Sequence, residues 1–147
     1  MGLDLGMKDN KIPNQNHVAR YCSPMHVPDG EIQATAFMLR PVDTSLSVNW
    51  LEYFKCSSRE GEIDELRKTY AAKNLIVKAS GRIAVLNVGE VRNKVLIESP
   101  DSRNLEILHD PIENDPSHSG IFNLRNDDEL IAELILETIL ETYPARK

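Results

Sequence analysis

The sequence predicts an α+β domain, with a small, mostly antiparallel sheet, one mid-chain helix and a long C-terminal helix. Three observations carry this. Short runs rich in β-branched residues recur through the middle of the chain, the composition that strands favour. Ile63, Leu66 and Tyr70 repeat at helical spacing. The C-terminal stretch sets Leu and Ile against a four-residue repeat of Glu129, Glu133, Glu137 and Glu141.

In chain order, residues 1–16 are polar and rich in Asn, which predicts a flexible lead-in ahead of a single domain over residues 17–147. Val18 to Cys22 and Ile32 to Leu39 flank Pro28-Asp29-Gly30, whose turn chemistry predicts a β-hairpin. Ser47 to Phe54 reads as a short helix or a strand end. Glu62 to Lys73 reads as the mid-chain helix. Ile76 to Lys78, Arg82 to Val88, Val95 to Glu98 and Leu105 to Leu108 read as strands. Asn126 is a good N-cap and Glu129 completes a box-like pattern, so the last helix is expected from Asp127 to about Tyr143, ending before Pro144.

Composition narrows the function classes. The chain has 147 residues, 23 acidic and 17 basic, for a net charge of −6. That length suits one domain. Two cysteines make no disulfide framework, and free thiols fit a reducing compartment, so the cytoplasm is the expected location. No run approaches the ~18 apolar residues of a membrane span, and the first residues lack the apolar core of a signal peptide. Basic residues are scattered rather than clustered, which argues against nucleic acid as a partner. No Lys or Arg stands between Asp127 and Arg146, so negative charge concentrates at the C-terminal end.

Candidate chemistry lies in the histidines. His17, Arg20 and Cys22 are close in sequence, but alternation on a strand puts His17 on the face opposite Arg20 and Cys22. Cys22 is therefore expected to be a buried, inert thiol. His109, Asp110, Glu113, Asp115 and His118 are residue types that bind divalent ions, yet their spacing matches no standard signature, and the Asp-Pro steps form turns unaided. No metal and no cofactor are expected. His17 or His26 with His109 and His118 can run metal-free phosphodiester chemistry as an acid–base pair, with Arg20 holding the phosphate. No glycine-rich nucleotide loop and no nucleophile elbow is present. Trp50, Tyr53 and Phe54 read as core aromatics.

The strings Arg20-Tyr21-Cys22-Ser23-Pro24, Leu46 to Glu52, Ile83 to Val88, His109-Asp110-Pro111 and Ser117 to Ile121 resemble a group of short, uncharacterised bacterial proteins over most of the chain from His17 onward. The resemblance implies a bacterial origin and carries no activity. The leading functional expectation is an accessory protein that binds a protein partner or a second copy of itself, as in a multi-protein assembly of the defence type. Its docking surface is Glu133, Leu136, Glu137 and Leu140 on the terminal helix. The alternative is a small phosphodiesterase or nuclease using His17, Arg20, His109 and His118.

Overall fold

A computed structural model describes residues 10–147. Six strands form one antiparallel sheet: β1 (His17–Cys22), β2 (Leu46–Trp50), β3 (Arg82–Asn87), β4 (Glu106–His109), β5 (His118–Phe122) and β6 (Ile139–Pro144). Their order across the sheet is β4-β5-β2-β1-β3-β6. Helix α1 (Arg59–Ala72) packs on one face through Ile63, Leu66 and Tyr70 against Ala19, Ile83 and Val85. Helices α2 (Val88–Glu98) and α3 (Glu129–Leu136) pack on the other, against Val18, Val48, Ala84 and Leu86. The α+β expectation holds, with apolar cores on both faces of the sheet. Among the described residues no helix is long and apolar enough to cross a membrane.

The mid-chain helix forms where its periodicity places it, and Ser58 caps it by accepting from the Gly61 N–H at 3.1 Å. Helix α2 overturns one expectation, since Val95 to Glu98 is helical and not a strand. Asn87 caps α2 by accepting from the Glu90 N–H at 2.9 Å, and Val88, Val91 and Val95 at i, i+3 and i+7 are all buried. Here the apolar period outweighs the β-propensity of valine.

The predicted hairpin does not form. Pro28-Asp29-Gly30 does turn, with Asp29 at φ 55° and Gly30 at φ 81°. Beyond it, residues 32–39 make a 3₁₀ turn at Ala34–Phe37 rather than a strand. Strand β1 pairs instead with β2 and β3. Ile76 to Lys78 also carries no strand.

The long C-terminal helix is two elements. Helix α3 starts after Asp128 rather than Asn126, with no side-chain cap at that end, and it ends at Leu136. Buried Thr138 turns the chain by donating its hydroxyl to Ile135 O at 2.7 Å. Ile139–Pro144 then pairs antiparallel with β3 as the sheet edge. The packed chain also begins before residue 17. Ile12 is buried and donates to Ile107 O at 3.1 Å, and Asn14 O and Asn16 O accept from Gly89 and Val88. Residues 1–9 of the expected flexible lead-in lie outside the described residues.

Candidate functional site

Strands β1 and β2 pair only at Val18↔Trp50 and Ala19↔Asn49. Past those two pairs they splay, and Arg20 fills the gap from β1. Its Nη1 donates to Ser47 O and its Nε to Ala36 O, both at 2.8 Å. The opening becomes a polar cleft of about 360 Å³, walled by Arg20, His26, Ser47, Tyr70, Lys73 and His118.

The charges in this cleft are unevenly matched. Lys73 Nζ meets the fully buried Asp115 carboxylate at 2.5 Å, and Arg40 at the mouth holds Asp43 at 2.7 Å. Arg20 has only neutral carbonyl partners, and no carboxylate pairs with it among the described residues. Desolvation lowers its pKa from the ordinary value, but a guanidinium stays charged near neutrality. A half-buried cation facing a cavity without a counter-charge favours an anion there.

The second feature is a serine held against a base. His118 Nδ1 lies 2.8 Å from Asp110 O, and its Nε2 lies 3.2 Å from Ser47 Oγ. A carbonyl only accepts, so Nδ1 carries the proton and the Nε2 lone pair faces the Ser47 hydroxyl. Register explains the meeting: Asn49 on β2 is opposite His118 on β5, and Ser47 shares the face of Asn49 two residues away. Asn49 is buried and donates to Asp115 Oδ1 at 2.8 Å and Ser117 Oγ at 2.9 Å, which steadies the strand beneath. His26 also lines the cleft, hydrogen-bonded to Thr35 Oγ1 at 2.8 Å. Burial first, and Arg20 second, hold its pKa below the usual histidine value, so it is neutral at pH 7.

Arg20 and His118 are thus brought together, while His17 and His109 lie elsewhere. His17 Nδ1 pairs with Glu52 Oε2 at 2.6 Å. His109 packs its ring 5.1 Å from Trp50, with Nε2 2.8 Å from Pro116 O. The residues 109–118 form a turn, and among the described residues no three His, Cys, Asp or Glu side chains are placed to hold one metal ion. Ser47, Lys73 and Tyr70 are absent from the sequence-based candidates, and Asp115, read there only as a possible metal ligand, instead holds Lys73 and Asn49. For Ser47 the one signal was the alternation of Ser47 and Asn49 with Leu46, Val48 and Trp50.

The four docking residues do not share a helix face. Leu136 packs partly against the core at the end of α3, Glu137 meets Lys94 at 3.1 Å, and Leu140 stands on β6. Glu141, the last of the acidic repeat, is bound by Arg59 at 3.0 Å.

Cys22 is 1% exposed, and burial pushes its thiol up to about 11, an effect that neighbouring Arg20 only reduces. The thiol is therefore protonated at neutral pH. Folded protein treated with iodoacetamide at pH 8 is expected to be alkylated at half-exposed Cys56 and spared at Cys22; stoichiometric labelling of Cys22 would contradict this.

Neither the protein families nor the curated proteins nor the solved structures offer a match to this chain.

Proposed function

We propose that the protein is a metal-independent hydrolase of small phosphodiesters. The observation behind this reading is the unmatched Arg20 cation donating to the backbone of Ser47, the residue whose hydroxyl is held against His118. An anion on Arg20 sits beside the nucleophile, so the charged group is the reacting group. One uncompensated cation suits the single charge of a phosphodiester. A neutral carboxylic ester leaves that cation unmatched. The overall charge of −6 disfavours polymeric nucleic acid, which restricts the proposal to small diesters.

The chemistry takes two displacements. In the first, Ser47 Oγ attacks phosphorus while His118 Nε2 takes the hydroxyl proton, and that proton goes to the departing alkoxide. In the second, His118 takes a proton from water as its oxygen attacks the phosphoserine, and Ser47 leaves with the proton. The sum is diester plus water giving monoester plus alcohol. Arg20 holds a non-bridging oxygen throughout and stabilises the charge that builds there.

Release of 4-nitrophenol from bis(4-nitrophenyl) phosphate tests the reading. Turnover is expected to fall about 10²-fold or more in both His118→Gln and Ser47→Ala. No turnover by the parent protein, or turnover indifferent to both changes, overturns it.

Protein docking keeps support of a narrower kind, in the edge strand β6 and its half-exposed Leu140. An open edge can add a partner's strand. On that reading His118→Gln leaves binding intact, whereas Leu140→Lys weakens it.

A further inference from the structure

Tyr70 and Leu75 wall the cleft on one side and a second, larger cavity of about 590 Å³ on the other. This volume is in the range of small-molecule sites. Its character differs from that of the cleft. Ala71, Leu75, Val77 and Ala145 give it an apolar lining, and among the described residues no histidine or hydroxyl other than Tyr70 borders it.

The charged part of its lining is mostly cationic. Arg67, Lys68, Arg146 and Lys147 border it, against Asp64 as the only acidic side chain lining it among the described residues. Asp64 is already held by Arg67 at 3.0 Å and by Lys147 at 3.1 Å, and Lys68 pairs with Glu65 at 3.1 Å. Arg146 is exposed and has neither a hydrogen bond nor an ion pair among the described residues. An open groove with an apolar floor and an exposed, unpaired guanidinium beside it matches a ligand with an apolar body and one acidic head.

We propose that this cavity binds an aliphatic monocarboxylic acid, its chain along Ala71, Leu75 and Val77 and its carboxylate on Arg146. The chain is aliphatic because Ala71, Leu75, Val77 and Ala145 make up most of the apolar lining, with Tyr70 its one aromatic wall. Burial of the chain supplies the affinity, and the charge-assisted hydrogen bond selects the acid over the alcohol of equal length. The site is separate from the Ser47–His118 cleft, so the two readings stand or fall independently.

Isothermal titration of the full chain with sodium decanoate below its micellar concentration, and with 1-decanol, tests the proposal. Decanoate is expected to bind saturably at one site, at least about tenfold more tightly than decanol, the size of one hydrogen bond to a charged group. Arg146→Glu is expected to remove that preference. Ala71 is exposed on α1, so Ala71→Trp fills the groove without entering the core and is expected to abolish binding while the unfolding midpoint stays put. Absence of saturable binding overturns the proposal. So does equal affinity for acid and alcohol, or unchanged binding by the folded Ala71→Trp variant.

Discussion

Asp115→Ala is expected to destabilise the protein by about 3–5 kcal/mol, the cost of breaking a buried ion pair by removing one partner. Asp115 has no exposed surface, and its two oxygens serve different elements. Oδ2 takes Lys73 from the end of α1 at 2.5 Å, and Oδ1 takes Asn49 from β2 at 2.8 Å. The carboxylate therefore joins helix, sheet and the 109–118 turn at one point beneath the cleft. Alanine leaves the buried Asn49 amide without this acceptor and the Lys73 ammonium, at the cleft wall, without its counter-charge. Against a total stability of about 5–15 kcal/mol, such a loss brings the variant close to unfolding. Asp115→Asn keeps the shape and an acceptor for Asn49 and loses only the charge, so it should fall between the two. Urea midpoints at unchanged slope measure both effects; a cost below about 1 kcal/mol for alanine refutes the structural role.

The parts of the fold that were legible in the sequence are those where one pattern stood alone. Ile63, Leu66 and Tyr70 gave helix α1 because no β-branched run competed with their spacing. In α2 the two signals conflicted: valine favoured a strand, while the spacing of Val88, Val91 and Val95 favoured a helix, and burial decided for the spacing. At the C-terminus the Glu repeat continued past Leu136, so helical periodicity concealed the alternation of Ile139, Glu141 and Tyr143 that belongs to β6. That strand needs β3 beside it, and a partner as far off as Leu86 from Ile139 or Arg82 from Pro144 leaves no local trace.

The site was legible in part for the same reason. Alternation along β1 correctly separated His17 from Arg20, and residue chemistry marked Arg20 and His118. What no local pattern contained was the splaying of β1 from β2 after two pairs, which turns a sheet interior into a cleft. Ser47 becomes chemically interesting only once β5 lies beside β2 in the register that sets Asn49 against His118. Lys73 and Asp115 meet across 42 residues, and each alone is an ordinary surface-type side chain.

Arg20→Met is expected to lower kcat/KM for a phosphodiester by about 10²-fold, because a charge-assisted hydrogen bond is worth roughly 1.5–3 kcal/mol and the anion loses its only unmatched cation. Stability should move far less. The guanidinium brings an uncompensated charge to the fold, and Met removes that cost while retaining the stem that packs beside the strand. The two carbonyls it served, Ala36 O and Ser47 O, border an open cleft where water can replace it. Arg20→Lys separates charge from geometry. Lysine restores the positive charge, but its single ammonium lacks the planar fork that engages both carbonyls while presenting a further N–H to the ligand. It should recover only a small part of the lost activity. If Arg20 served only to pin β1 to β2, the ranking reverses: Met would depress the unfolding midpoint strongly, and the surviving folded fraction would turn over diester at the parent rate. Measuring kcat/KM and the unfolding midpoint on the same three proteins distinguishes an anion anchor from a structural strut.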